Sequence, residues 1–491
     1  MSFHQKPSFP LRKKIAFQFL VSNMALVVNF ALTVILARLL TPTDIGIFSM
    51  SAVLIAVAHV FRDFGVTAFL KQEKTLSKEI LSGAIGLLVA ASWTVAAVMY
   101  LSAPLWAAFF KEPKVSDVVE VLALGFVFIP LGAVPQALLV REMDVAKSAW
   151  VTLTTTTVYF GVSILLAYSD FKHMTMAWAN LINIVVSGIA FNLVLKTRLP
   201  WIPSTYDWKR ISSFGTGNLA SSLLRALDNA IPDIALGKLS TPASVGLFSR
   251  ANSTVNMIGT VLHPTIYFFA LPFLARTHHA HGSLHKEFLK GSSIINCLMM
   301  PALIWIAIVA QDVVQILYGN QWLAASKAIP WLSLAIAATN IFVLSSQAVT
   351  GIGKPHAVIP AVVATLFFKG LLIYWIFDGS LKSFAMAIAL GQAAAAPAFV
   401  WINVRYLKVP VIEWIINLCK PVPAWLAGGV ALYMVHGLLP TEWFLLARLS
   451  LSSIIFAAIT LAMYMLLNIP IRDELIQLFQ KLKPAKSTLS E

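Results

Sequence analysis

The sequence predicts an all-α integral membrane protein of about fourteen transmembrane helices. Of 491 residues, 58% are hydrophobic and 12% charged, about half the charged share of a soluble domain. The apolar residues fall in runs of eighteen or more, the length that crosses about 30 Å of hydrocarbon as helix. The runs are continuous rather than alternating, which argues against an outer-membrane barrel. Backbone groups in lipid must be satisfied within their own segment, so helices are expected rather than an open sheet.

Taken in order, the predicted spans are 15–40, 45–70, 80–103, 118–140, 148–169, 174–196, 212–237, 243–272, 288–310, 324–349, 356–377, 382–404, 412–437 and 443–468. The first follows Lys6, Arg12, Lys13 and Lys14. It runs far beyond a signal-peptide core and lacks a small-residue cleavage site, so it reads as an uncleaved span. The eighth and tenth contain Pro264 and Pro330, where kinks are expected. Every connecting loop is under twenty residues, too short for a soluble domain.

Charge placement tests this count. With the N-terminus in the cytosol, cytosolic loops hold 23 of the 36 Lys and Arg residues, including Lys71, Lys74, Lys78, Lys196, Arg198, Lys209, Arg210, Lys286, Lys290, Arg405 and Lys408. The opposite loops hold seven, among them Lys111, Lys114 and Lys382. This is the positive-inside pattern; it places both termini in the cytosol and accounts for most of the formal net charge of +15. The pI therefore calls for no nucleic-acid partner. Cys297 and Cys419 fall inside apolar spans and imply neither a disulfide framework nor a zinc site. His278, His279, His281 and His285 are too loosely spaced for a metal site and read as a solvated loop. No phosphate-binding loop, paired catalytic carboxylates or activated nucleophile is present, and neither enzyme activity nor cofactor is expected.

An internal repeat is the most informative feature. LARLLTPTDIGIFSM at 36–50 matches LGKLSTPASVGLFSR at 236–250 without gaps, with seven of fifteen positions identical. The identities are Leu36/Leu236, Leu39/Leu239, Thr41/Thr241, Pro42/Pro242, Gly46/Gly246, Phe48/Phe248 and Ser49/Ser249. Each copy joins two spans, the first to the second and the seventh to the eighth. Six spans separate the copies, so the halves keep one orientation and form parallel repeats, an arrangement common in transporters. The repeat divides the chain into bundles at 1–196 and 212–410, two additional helices at 411–470, and a cytoplasmic tail at 471–491.

Polar residues within spans mark the candidate path. The seventh span carries Asn218, Ser221, Ser222, Arg225, Asp228, Asn229 and Asp233, most of them on one helical face. A charge at mid-membrane costs about 2.5–3.5 kcal/mol on insertion scales, so this face is expected against a watery cavity or a partner helix. Arg225 and Asp228 are three apart and can pair along the helix, which alone would serve packing. The first span carries Gln18, Ser22, Asn23 and Asn29, either across the same cavity or in interhelical hydrogen bonds. Arg250 and Lys369 lie inside later spans and offer cations for a phosphate; for Arg250, snorkelling or pairing with Asp233 is the alternative. Arg62 and Asp63, in FRDFG, are expected at a gate or interface.

The ILARLLTPTDIGIFSM junction followed by FRDFG, with DNAIPDIALGKLSTPASVGLFSRA in mid-chain, resembles Wzx-type polysaccharide flippases of the multidrug/oligosaccharidyl-lipid/polysaccharide exporter superfamily. The mid-chain correspondence runs through Asp228, Gly237, Lys238, Pro242, Gly246, Leu247, Phe248 and Ser249; Ser240 and Thr241 stand where Leu-Gly is common, and Phe248 replaces the usual Tyr. The resemblance implies two six-helix bundles around a central cavity that opens alternately to each side of the bacterial inner membrane. The substrate would be an undecaprenyl-diphosphate-linked oligosaccharide, flipped for exopolysaccharide, capsule or O-antigen assembly. Partners would be the lipid-linked oligosaccharide, membrane lipids and polysaccharide polymerase or export machinery. Candidate substrate contacts are Arg225, Arg250, Lys369, Asn23, Asn29 and Asn229; candidate coupling or gating residues are Asp228, Asp233, Arg62 and Asp63. A MATE-like, cation-coupled drug antiporter is the alternative. It predicts carboxylates in the first span, and that span has none.

Overall fold

The computed structural model describes residues 11–63, 65–142, 144–279, 284–439, 445–467, 469, 471–472 and 476. The described residues form helices and no strands, in two compact units, Met1–Ser249 and Arg250–Glu491. Twelve helical stretches among them are long and apolar enough to cross a membrane.

The first unit holds α1 (Leu11–Leu39), α2 (Pro42–Asp63), α3 (Val66–Gln72), α4 (Lys78–Phe110), α5 (Lys114–Arg141), α6 (Val145–Tyr168), α7 (Thr175–Val194) and α8 (Trp208–Leu239). At its centre is α5, packed on α4, α7 and α2 and buried along most of its length. It meets α7 at a notch of small residues: a Cβ on Gly132 would lie 3.3 Å from the Gly188 Cα. Nearby, Asn192 Nδ2 donates to the Leu131 carbonyl over 2.7 Å. On α6, Trp150 and Tyr168 are both exposed and lie eighteen residues apart, about 27 Å of helix.

The expected second span, 45–70, is two helices. Gly65 adopts φ 74°, a left-handed conformation that breaks the run; α3 then restarts under a cap from Asp63, whose Oδ2 accepts from Thr67 Oγ1 at 2.7 Å. Arg141 closes the other end of α3 by donating to the carbonyls of Leu70, Glu73 and Lys74.

Helix α9 (Pro242–His279) runs across the boundary between the units and continues through Pro264 without a break. The second unit follows with α10 (Leu284–Ile308), α11 (Ala310–Tyr318), α12 (Ile329–Ile341), α13 (Val343–Gly351), α14 (Ile359–Ile376), α15 (Leu381–Ala394), α16 (Ala396–Leu407), α17 (Val411–Cys419), α18 (Val422–Leu438) and α19 (Leu445–Leu466). Pro330 does not kink the tenth span, because it occupies the first turn of α12, where its missing N–H costs nothing. The break falls instead at Phe342. Likewise Pro397 and Pro421 mark the starts of α16 and α18 rather than bends.

Two of the fourteen predicted spans, 212–237 and 243–272, fall on α8 and α9. These have 32 and 38 residues, ample to cross a bilayer, and are not among the twelve apolar stretches.

The repeat is visible in local chemistry. At the first junction Thr41 Oγ1 accepts from Asp44 N (3.2 Å) while Asp44 Oδ2 accepts from Thr41 N (3.2 Å), a reciprocal cap with Pro42 in the first turn. At the second, Thr241 Oγ1 accepts from Ser244 N (3.3 Å), with Pro242 in the same place. The two junctions then meet within the first unit. A Cβ on Gly46 would lie 1.7 Å from the Pro242 oxygen, and one on Gly246 1.9 Å from the Pro42 oxygen, so the contact is two-fold symmetric and requires glycine on both sides. One turn on, Ser49 Oγ donates to Ser249 Oγ over 3.1 Å.

The final helices belong to the core of the second unit. Gly428 of α18 packs on Thr460 and Phe456 of α19, and Gly429 on Ile304 of α10. Trp425 Nε1 donates to Tyr464 Oη, which donates to the Cys297 carbonyl, over 2.8 and 2.7 Å. Asp312, in the first turn of α11, accepts from Arg448 Nη2 of α19 at 2.6 Å and lies 3.2 Å from His436 Nε2 of α18. All three side chains are largely buried.

Two outcomes follow for thermal unfolding of the purified protein. Gly46→Ala or Gly246→Ala forces the junctions apart and costs about 1–3 kcal/mol, whereas Ser49→Ala costs about 1 kcal/mol. Asp312→Ala strands buried Arg448 and costs about 3–5 kcal/mol; a loss below 1 kcal/mol would show that the cluster does not hold α18 and α19.

Candidate functional site

Helix α1 exposes two opposite faces of different chemistry. Leu20, Met24 and Val27, 57%, 46% and 67% exposed, line one side. At 3.6 residues per turn, Ser22 and Asn29, also exposed, lie on the opposite side. Between them Val21, Ala25 and Leu32 are buried, and the helix packs along α6. The apolar face suits hydrocarbon. The polar face does not, because lipid would leave the Asn29 amide unsatisfied.

Helix α8 repeats this division more strongly. Over its central turns the exposed residues are Ser222, Arg225 and Asn229, which align on one face at spacings of three and four. Asp233 continues that face and Asp228 flanks it, both partly buried. Ala230, Leu236 and Gly237 are buried, as expected from packing on α2 and α4. The side chains of Gln18, Asn218 and Ser221 lie outside the described residues. Arg225 is exposed on this face. Such a group is stable in a membrane only where water or an anion reaches it.

The remaining candidates are placed differently. Asn23 is partly buried on the flank of α1. Arg250 is 7% exposed, with its guanidinium 5.9 Å from the Trp322 ring centroid. One turn along, Thr254 Oγ1 accepts from or donates to Tyr318 Oη at 2.9 Å, and Tyr318 packs edge-on against Trp322. These aromatic rings position Arg250 within the second unit. Lys369 is also 7% exposed, on the α14 stripe of Ala361, Thr365, Lys369 and Ile373. Its backbone closes on α15, where a Cβ on Gly391 would lie 2.7 Å from the Lys369 Cα. Asp63 is engaged in capping α3, and Arg62 is partly buried beside it. His281 and the side chains of His278 and His279 lie outside the described residues.

Sequence reading missed the Asp312–His436–Arg448 cluster, because its members are 124 and 12 residues apart. A signal was present: Asp312, His436 and Arg448 are isolated ionisable residues close to the ends of apolar runs.

Residues 35–327, more than half the chain, match the family model described as polysaccharide biosynthesis protein. Among curated proteins, the lipopolysaccharide biosynthesis protein WzxC of Escherichia coli K12 is 24% identical over 302 residues, spanning 61% of each chain. The teichuronic acid biosynthesis protein TuaB of Bacillus subtilis 168 is 21% identical over 423 residues, 85% of this chain and 86% of that one. Among solved structures, the lipid II flippase MurJ in an inward closed conformation superposes with TM-score 0.74 at 11% identity, covering 94% of this chain and all of MurJ. An inward-facing MATE family multidrug transporter of the MOP superfamily gives 0.58 at 16% identity, covering 78% and 95%. The chain shares the fold of both.

Solvent access is expected to separate the faces. In a background with Cys297 and Cys419 replaced by serine, cysteines at Ser22, Asn29, Ser222 and Asn229 are expected to react with a charged, water-soluble thiol reagent at least ten times faster than cysteines at Leu20, Met24 and Val27. Equal rates would mean that the polar faces see lipid.

Proposed function

The chain belongs to the polysaccharide biosynthesis protein family, and on that premise we propose that it flips undecaprenyl-diphosphate-linked oligosaccharide repeat units across the bacterial inner membrane. The product would feed exopolysaccharide, capsule or O-antigen assembly. The observation that carries this reading is the exposed polar face of α8, with Arg225 between Ser222 and Asn229, on a helix long enough to cross the bilayer. A cation in a watery groove stabilises a diphosphate by charge-assisted hydrogen bonds. Hydroxyl and amide groups on α1 and α8 offer donors and acceptors to sugars, while the polyprenyl tail stays in lipid.

On this reading the repeat halves rock about the substrate with both termini in the cytosol, alternating access between the two sides. Asn23, Asn29 and Asn229 contact the carried sugar, and Arg225 is the first diphosphate contact. Arg250 and Lys369 are covered by their own unit, so they would engage substrate only in another state of the cycle. Asp228 and Asp233, beside the Arg225 face, are the coupling candidates; Arg62 and Asp63 would act at the cytosolic end of α2, where Asp63 already holds the α2–α3 turn. No covalent chemistry is involved, and polymerase or export machinery would act on the flipped product. The drug-antiporter reading has less support, since α1 carries no carboxylate and the MATE superposition is weaker than that of MurJ.

In cells lacking the gene, lipid-linked oligosaccharide should accumulate in the cytosolic leaflet and surface polysaccharide should be lost. Arg225→Gln should restore transport about ten-fold or more below wild type at normal protein level, the share of one charge-assisted hydrogen bond, with Arg225→Lys in between. Normal polysaccharide with altered sensitivity to cationic drugs would instead support the antiporter. Outward opening should separate the two repeat junctions, so a disulfide between Ser49→Cys and Ser249→Cys should stop transport until reduced; transport unaffected by that disulfide would contradict rocking at this contact.

A further inference from the structure

At one corner of the second unit, on the side that charge placement assigns to the cytosol, an apolar surface turns abruptly basic. The exposed residues of α16 and its cap are Pro397, Trp401, Val404, Arg405 and Lys408, which fall on one stripe of the helix. The early part of the stripe suits acyl chains, with Trp401 and Val404 48% and 45% exposed. Its last turn carries the two cations. Helix α17 continues the apolar surface with exposed Val411, Ile412, Ile415 and Ile416. The opposite face of α17 is anchored: Trp414 is buried, and Asn417 Nδ2 donates to the Leu289 carbonyl of α10 over 2.8 Å. The Phe342 ring joins the two helices, stacked on Phe399 at 5.0 Å and tilted against Trp414 at 5.3 Å.

Tyr406 brings a third cation to this corner. Lys354, exposed in the turn after α13, places its Nζ 5.4 Å from the Tyr406 ring centroid, and Trp401 packs edge-on against the same ring at 5.9 Å. Lys354, Arg405 and Lys408 are in no ion pair among the described residues. The acids on the elements packed here are Glu287, partly buried in the first turn of α10, and Glu413, exposed in the first turn of α17. Lys408 also stands at φ 54°, the left-handed conformation at a helix end that favours glycine. A lysine there gives up backbone ease and keeps a charge at the foot of the stripe. Topology alone calls for basic residues on this side, but it counts them and fixes no position for any of them.

We propose that this corner is a binding site for an anionic phospholipid of the adjoining leaflet. The phosphate is held by Arg405, Lys408 and Lys354 through charge-assisted hydrogen bonds, and the acyl chains cover Trp401, Val404 and the isoleucines of α17. The arrangement fits a lipid better than a soluble anion or an acidic peptide. Cations and hydrocarbon-facing side chains share one stripe, and their order along α16, apolar and then basic, is the order of a lipid from chain to headgroup. Long basic side chains at such a boundary keep their stems in the apolar layer and their charges among the headgroups. Each one near the membrane surface adds about five-fold to the affinity for anionic lipid. The site does not depend on the flippase reading.

The test uses full-length protein purified in a mild detergent, with bound lipid counted by native mass spectrometry in equimolar phosphatidylglycerol and phosphatidylethanolamine. Wild-type protein should retain phosphatidylglycerol in preference by about ten-fold or more, and Lys354→Gln/Arg405→Gln/Lys408→Gly should bring the ratio close to one. Lys408→Gly alone should lower the preference about five-fold. It should also leave the melting temperature in lipid-free detergent at or above that of wild type, because glycine suits the left-handed position. Lys408→Arg should keep the preference. A control in the first unit, Lys71→Gln/Lys74→Gln/Lys78→Gln, removes three other exposed charges and should leave the ratio unchanged. An equal ratio in wild type, an unchanged ratio in the triple variant at the corner, or an equal loss in the control would overturn the proposal. Displacement of the bound phosphatidylglycerol by equimolar polyprenyl diphosphate would overturn it as well, since the corner would then hold the diphosphate of a carried lipid.

Discussion

Hydrocarbon tolerates an apolar side chain anywhere on a helix and a charged one almost nowhere, at a cost of about 2.5–3.5 kcal/mol for each charge at mid-depth. Most of this molecule obeys that constraint trivially. Twelve helical stretches are apolar enough to cross, and exposed Leu, Val and aromatic side chains cover their outer faces. The constraint becomes informative where it is strained, on α8. There the exposed central residues are a serine, an arginine and an asparagine, and only a face that meets water or an anion reconciles them with the membrane. The opposed apolar and polar faces of α1 repeat the same demand with uncharged groups. These two helices occupy corresponding places of the repeat, and both combine membrane length with an outward polar face.

Close approach is the second constraint, and glycine supplies it. The two junctions touch through Gly46 and Gly246, each filling the space a side chain would need beside the other's proline carbonyl. Gly83 and Gly86 let Tyr206 and Ser204 lie against α4, and Gly428 and Gly429 seat α18 between α19 and α10. In lipid, where burial of apolar surface between helices gains little, van der Waals contact and hydrogen bonds at small residues hold helices together. The buried Asp312–Arg448 pair and the Trp425–Tyr464–Cys297 chain do this for the last two helices, which are thereby part of the second unit's core rather than appended anchors.

Much of this was legible in the sequence, for identifiable reasons. Long apolar runs are a strong signal, so helix existence was plain, and the spacing of polar residues on α8 gave its exposed face. The Thr-Pro junctions announced their caps, because Thr41 and Thr241 precede a proline and a polar residue three positions on. Breaks inside spans were not legible: Gly65, Phe342 and Ala395 interrupt runs whose hydropathy is continuous. Proline misled at Pro330, which begins a helix rather than bending one. Burial of individual cations was equally hidden. Arg225, Arg250 and Lys369 look alike in sequence, yet the first is exposed and the others are covered by Trp322 and by the α14–α15 contact. Nor could spacing join Asp312 to Arg448, since tertiary packing alone makes them neighbours. The same holds for α8: periodicity gives its polar face, but not the helices on which it packs.

On the proposed function, a polar face on α1 and α8 carries a lipid-linked sugar across the bilayer. The most direct measurement is reconstitution of the purified protein in sealed vesicles holding undecaprenyl-diphosphate oligosaccharide, with the inner-leaflet share made accessible to a glycosidase outside. Wild-type protein should render nearly all of the oligosaccharide cleavable, while Arg225→Gln should leave the inner-leaflet half protected over the same interval. Protection unchanged by wild-type protein, or removed equally well by Arg225→Gln, would contradict this reading.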